Sequence, residues 1–197
     1  MSRGMPMPDD QASIATVTPL SGGKSGGTPY FFQKVYVRLM MWLVARLLAA
    51  ASIVDPVVRK EVLALPGDFS FTMRVRSGVA GMGLRRDGNR LIPVTDWGQR
   101  EYPLVFEYKH VTHAFLVLGF VEGTAIAFAN DRITVDGNTS IAMKIIRGLN
   151  RMEAVVLPRI IAERAVKSYP DIGLMEKLGL AARVYGRLVL NLLGADK

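Results

Sequence analysis

Two histidines, His110 and His113, stand three residues apart, with Glu107 just before them. On a helix that spacing puts two imidazoles on neighbouring faces, and with a carboxylate nearby they could hold a divalent cation. No further ligand stands at a useful distance, so a pair of ordinary histidines at a strand-to-helix junction is the expectation, with no metal. Ser21-Gly22-Gly23-Lys24-Ser25 shares the ending of a phosphate-binding loop, but the first glycine of that loop would fall at Thr18 and no apolar strand leads into it. Such loops work because a strand and a helix N-terminus fix the backbone N–H groups around phosphate. A linker is therefore expected here. Gly78, Gly81 and Gly83 have neither the spacing nor the context of a dinucleotide fingerprint. The chain has no cysteine, which excludes disulfides, thiolate nucleophiles and thiolate-ligated metals. No serine sits in a strand-to-helix elbow, so a nucleophilic triad lacks support. Asn138-Thr139-Ser140 matches a glycosylation acceptor that is idle without secretion. These residues point to no enzyme and no cofactor.

The basic residues are more prominent. Lysine and arginine number 25 against 17 acids, a formal net charge of +8, and such a balance favours anionic partners. Arg74, Arg76, Arg85 and Arg86 fall on adjacent predicted strands and could form one cationic patch. Arg147, Arg151, Arg159, Arg164 and Lys167 decorate the helices that follow. A solvated charged face or an anionic membrane surface explains them. Nucleic acid is disfavoured, because aromatic residues are not interleaved with the basic ones as in a stacking platform. Near the C-terminus Lys177, Arg183 and Arg187 accompany a broad apolar face, the arrangement of a core helix, a lid, or a helix that touches a membrane or partner.

Half of the chain is apolar and about a fifth is charged, a globular composition. Residues 1–28 form a Pro/Gly/Ser-rich segment without the basic, apolar and small-residue order of a secretory signal, and are expected to be a disordered tail. Residues 29–64 read as helical, with Tyr36, Leu39, Leu43 and Leu47 on one stripe and a break at Asp55-Pro56. Arg46 interrupts the most apolar part, Leu39 to Val54, so a membrane span is not expected. After a turn at Leu65–Asp68 the period changes to two. Phe69, Phe71, Met73 and Val75 alternate with Ser70, Thr72, Arg74 and Arg76, a half-buried strand. Ala80, Met82 and Leu84 continue in the same way, with Gly81 and Gly83 leaving space or permitting a bend. Asp87-Gly88-Asn89 marks a hairpin into Leu91, Ile92 and Val94, and Pro93 puts that strand at an edge.

Leu104, Phe106 and Tyr108 make a further strand, and Val111 to Leu118 a short helix. Ile126 and Phe128 are expected to pair across Asn130-Asp131 with Ile133 and Val135 in a second hairpin. Asn138 precedes a helix that carries Ile141, Ile145, Leu149 and Met152 on one stripe. Pro158 opens the next helix, to about Ser168. Asp171 to Leu193 is the last, with Leu174, Leu178, Ala181, Tyr185, Leu188 and Leu192 at helical spacing. The expected fold is α+β: a mostly antiparallel sheet of five or six strands covered by helices, with extra helices at both ends.

From about Val62 to Tyr169 the chain resembles the sterol carrier protein 2 family. The resemblance rests on the alternating strand Phe69–Arg76, the glycine-punctuated strand after it, and above all the block Ala127 to Met143, where a hairpin, a glycine after the last strand and an apolar helix follow in the family's order. Arg132, Gly137 and Thr139, followed by the helix through Leu149-Asn150, carry a finer likeness. Within the family it is similar to the bacterial accessory factors of oxygen-independent ubiquinone biosynthesis, although Asn138 stands where those show an acid. The resemblance implies a shell that holds a sterol, acyl chain or prenylated quinone precursor without catalysing a reaction. Phe71, Met73, Met82, Phe106, Phe128 and Met143 would then line an apolar cavity, and methionine's unbranched thioether suits irregular guests. Plain core packing accounts for the same residues equally well. The implied partners are a hydrophobic lipid, an anionic membrane surface and enzymes of lipid or quinone biosynthesis. The implied location is the cytoplasm, peripheral at the inner membrane. The corresponding division is a tail at 1–28, helices at 29–64, a lipid-binding domain at 65–169 and an amphipathic helix at 170–197. The rival reading is an assembly module that docks on membrane-associated partners and has no ligand of its own. A hydrolase or transferase would instead need a polar, titratable cluster inside the cavity.

Overall fold

The computed structural model describes residues 29–98, 101–157 and 173–192. The N-terminal segment with its Gly-Lys-Ser run, the helix expected from Pro158 to Ser168, and Arg159, Arg164 and Lys167 lie outside these residues.

Two helices lead. Helix α1 runs Tyr30–Val54 and α2 runs Pro56–Leu63. Asp55 separates them because its extended backbone and the following proline end one helix and start the next. Its side chain accepts hydrogen bonds from the Val57 and Val58 amides, two of the donors a helix start leaves without partners. The sheet follows as β1 (Ser70–Val75), β2 (Gly81–Asp87), β3 (Arg90–Val94) and β4 (Leu104–Tyr108). Next come α3 (Val111–Leu118), α4 (Thr124–Ala129), β5 (Ile133–Gly137), α5 (Thr139–Val156) and α6 (Leu174–Leu192).

The architecture is α+β, with five strands in the order β3-β2-β1-β4-β5. Every pairing is antiparallel except that of β1 with β4. The hairpin at Asp87-Gly88-Asn89 forms with Gly88 at φ 59°, and Pro93 lies on the edge strand β3, where a missing N–H costs no ladder bond.

Pairing sets the two faces of the sheet. Phe71 stands opposite Leu84, Met73 opposite Met82 and beside Phe106, and Val75 beside Tyr108, so these side chains share the face that the helices cover. Helix α1 crosses this face against β2, β3 and α3, and packs on α6; α5 packs on α2 and α6. Gly148 of α5 faces Leu48 and Val58 at ordinary van der Waals distance. By length and a mean hydropathy of 1.8, α1 could cross a membrane. More than half of that apolar stretch is buried inside the fold, as in the core helix of a globular domain.

The opposite face departs from simple alternation. Ser70 and Thr72 are buried as deeply as their apolar neighbours, so β1 is not half-buried. The cause is distant in sequence: Trp97 lies across Gly81, where any Cβ would collide with its ring, a Cβ at Gly83 would collide with Val94 and the Tyr102 hydroxyl, and Thr72 donates to the Met82 carbonyl. The two glycines leave space.

Three expectations are corrected. Ile126 and Phe128 do not belong to a strand. They lie on α4, in a stretch with three alanines that favour helix, and β5 pairs with β4 instead. Asp131, at φ 55°, turns the chain between α4 and β5. The arginines of the sheet do not form one free cationic patch either. Arg74 and Arg76 share Glu107, at 3.3 and 2.7 Å, and Arg86 donates to the carbonyls of Leu63, Leu65 and Gly88, leaving Arg85 exposed. Among the helical cations, Arg147 pairs with Glu61 and Arg151 with Asp55 and Glu176. Finally, the buried stripe of α6 is Leu180, Val184 and Leu188, while Leu178 and Tyr185 face out. Leucines surround this helix, so two stripes have helical spacing, and the docking against α1 and α5 selects one.

Candidate functional site

Between the sheet and α5 lies a small, partly open apolar pocket of about 30 Å³. The sheet supplies Met73, Phe106, Tyr108 and Ile133; α1 supplies Val44, α3 supplies Leu118, and α4 supplies Thr124 and Phe128. Helix α5 contributes Ile146, Leu149, Asn150 and Glu153, which share one stripe because they recur three and four residues apart. Asn138 fixes the start of α5 by accepting hydrogen bonds from the Ser140 and Ile141 amides, and Gly137, at φ 124°, allows the sharp strand-to-helix passage.

Four polar side chains interrupt this lining: Tyr108, Asn150 and Glu153, and Thr124 at the start of α4. The Tyr108 hydroxyl has only the Met73 sulfur, at 3.7 Å, a weak acceptor. Among the described residues no hydrogen bond or ion pair reaches the Glu153 carboxyl, and no cation lines the pocket. Glu153 is partly buried, and this desolvation without an ion pair among the described residues disfavours the charged form and pushes its carboxyl up to about 7. Burial, and secondarily the nearby Glu153, pushes the Tyr108 phenol well above its usual range. The Glu153 carboxyl can exchange protons and hydrogen-bond near neutrality, and the Tyr108 phenol keeps its proton. No histidine or serine lines the pocket to make a nucleophile–base pair.

The six side chains expected to line a cavity are dispersed. Met73, Phe106 and Phe128 line the pocket. Phe71 is fully buried core, stacked edge-on against Phe106. Met82 borders a different feature, an open groove of about 340 Å³ at the ends of β2 and β3, flanked by Trp42, Arg46 and Trp97. Met143 is 47% exposed on α5, two residues before the buried Ile145 and so on the opposite side of the helix. Sequence reasoning missed Tyr108, Asn150 and Glu153 as pocket residues. The signal was present: an amide and an acid stand four and seven residues after Ile146, beside the apolar stripe.

Of the C-terminal cations, Arg183 is exposed, and Lys177 and Arg187 are half-buried and engaged. The His110 and His113 rings meet edge to face at 5.1 Å. Burial, with help from His110 and Arg132, holds His113 below the ordinary imidazole range. Glu107 is committed to Arg74 and Arg76, and among the described residues no three potential ligands cluster around a metal position. Arg132 pairs with Glu122 at 2.7 Å, tying the two ends of the α4 segment to each other.

No family model matches the chain, and no curated protein matches it. Among solved structures it is similar to one described as "UbiJ-SCP2 Ubiquinone synthesis protein", with 10% identity and a TM-score of 0.42 over 61% of this chain and 98% of that one.

Proposed function

We propose that this protein is a non-catalytic carrier that binds a hydrophobic lipid between its sheet and helix α5, beneath α4. The observation that carries this reading is the pocket itself, where apolar side chains from both layers meet around polar groups without strong partners of their own. At about 30 Å³ it holds no more than a water-sized guest, so a hydrocarbon enters only if part of the wall moves.

Helix α4 is the part suited to move. Of its six residues only Ala127 is buried, and Ile126 is 57% exposed. Its ends are braced to each other through Glu122, Asn130 and Arg132. Displacing it as a unit therefore uncovers little apolar area, and segments with few buried contacts open at small cost. Burying several hundred Å² of hydrocarbon would return on the order of 10 kcal/mol before association costs, at roughly 25 cal/mol per Å². The sequence resemblance makes a prenylated phenol the first guest to try, ahead of sterols and acyl chains.

Native mass spectrometry of protein purified without detergent is expected to show a bound hydrophobic small molecule, and a prenylated phenol added to stripped protein should bind with a Kd of about 1 μM, some 8 kcal/mol. Empty protein that also ignores prenylated phenols, sterols and fatty acids at tens of micromolar contradicts the proposal.

A second reading rests on a different surface. Phe31, Phe32, Leu39 and Trp42 are exposed along α1, interleaved with cationic Lys34 and Arg46, which lie over the Tyr30 and Trp42 rings. That face suits an anionic membrane or an acidic partner, so peripheral attachment at a membrane is part of the proposal. Salt-sensitive binding to anionic vesicles by a protein that takes up no lipid would favour a docking module over a carrier.

A further inference from the structure

Glu153 is the feature the carrier reading leaves unexplained. A carboxyl group in an apolar wall is costly unless it has a partner, and an apolar residue at this position would pack without that cost. Among the described residues, neither a salt bridge nor a hydrogen bond inside the protein accounts for it. Asn150 stands three residues before it on the same stripe of α5, and Tyr108 faces it from β4. Three side chains able to hydrogen-bond thus converge on one pocket from two layers of the fold, while the rest of the lining is almost entirely hydrocarbon.

We infer that Glu153, Tyr108 and Asn150 form a head-group subsite that selects lipids ending in an uncharged hydroxyl or carbonyl, such as alcohols, phenols or quinones, over lipids ending in a carboxylate. The inference rests on the carrier reading and adds the chemistry of the polar end. A protonated Glu153 donates its O–H to the head-group oxygen, and Asn150 offers both a donor and an acceptor. Tyr108 can turn its hydroxyl either way. Among the described residues no charged side chain other than Glu153 lines the pocket, and none of them would neutralise an anionic head group. A carboxylate head group would lose its hydration against this apolar wall without a cation to pair it, and it meets like charge whenever Glu153 is ionised. Burial raises the Glu153 carboxyl to about 7, so a large fraction stays protonated at neutral pH and available as a donor.

The test compares 1-dodecanol with dodecanoate, which share a chain length and differ at the head. Binding to the full-length protein and to Glu153→Gln and Glu153→Leu is measured by calorimetry at pH 7, with thermal unfolding as the check on folding. The wild type should bind the alcohol at least about tenfold more tightly than the carboxylate, the factor that one satisfied polar contact against one unsatisfied contact supplies. Glu153→Gln keeps a donor and should bind the alcohol within about threefold of wild type. Glu153→Leu should lose about tenfold for the alcohol and with it the preference.

Tight binding of both lipids with no preference, or alcohol binding by Glu153→Leu equal to wild type, overturns the subsite and leaves the carrier reading standing. Failure of every folded variant to bind either lipid overturns both.

Discussion

Replacing Asp55 with alanine is expected to lower the stability of this protein by about 3–5 kcal/mol, the usual cost of removing one partner of a buried ion pair. Asp55 is 1% exposed. One carboxylate oxygen caps α2 through the Val57 and Val58 amides at 2.7 and 3.3 Å, and the other accepts from Arg151 on α5 at 2.9 Å. The substitution thus removes a helix cap, worth about 1 kcal/mol alone, and the tie between the leading helices and the helix that walls the pocket. It also strands Arg151, whose remaining partner, Glu176, is 3.4 Å away and largely exposed. Typical domains are stable by only about 5–15 kcal/mol, so a large share of the total is at stake. Urea denaturation should show the midpoint falling sharply. The control is Arg147→Ala, which breaks the exposed pair with Glu61 and should cost no more than about 1 kcal/mol. Equal effects of the two substitutions would contradict the role given to Asp55.

The second large effect concerns Glu153 and pH. Its carboxyl titrates near 7 in the folded protein and near 4.5 when unfolded. Between those values the folded state holds a proton that the unfolded state has released, so stability falls as pH rises through the interval. The loss is on the order of 3 kcal/mol, from 1.36 kcal/mol per pH unit of difference, and is complete a little above pH 7. Glu153→Gln, which cannot ionise, should match wild type near pH 4.5 and exceed its stability by that amount at pH 8. Other groups titrate in the same range. His113, held below its ordinary value, contributes the opposite slope below pH 6.5, and Glu61, lowered by Arg147, contributes stability that is lost only in acid. The difference between wild type and Glu153→Gln cancels both. A difference that stays constant from pH 4.5 to 8 would show that Glu153 is solvated.

These two acids illustrate what the amino-acid order reveals and what it conceals. Asp55-Pro56 is legible because capping and proline chemistry are local, and so are the Asp87-Gly88-Asn89 hairpin, the alternation that makes β1, and Asn138 at the start of α5. Ile133 and Val135 form a strand as their alternation suggests, but Ile126 and Phe128 mislead by the same alternation, because the neighbouring alanines favour a helix over Thr124–Ala129. Position in the sheet, set by β4, settles the matter for β5. The burial of Thr72 depends on Trp97, 25 residues away, and no periodicity encodes it. Met143 and Leu178 fail as interior residues for a related reason: an apolar side chain on a helix is buried only where another element meets it. Glu153 is hidden by expectation, since an acid within a helix is usually solvated.

The carrier account depends on lipid entering beneath α4, and methionine-methyl NMR tests this with reporters already in place. Met73 lines the pocket, Met82 borders the open groove, and Met143 stands exposed on α5. Titration with a prenylated phenol should move the Met73 methyl resonance in proportion to occupancy and leave Met143 unmoved. A saturating shift at Met82 alone, or no change at Met73 while lipid binds, would place the guest elsewhere and contradict the account.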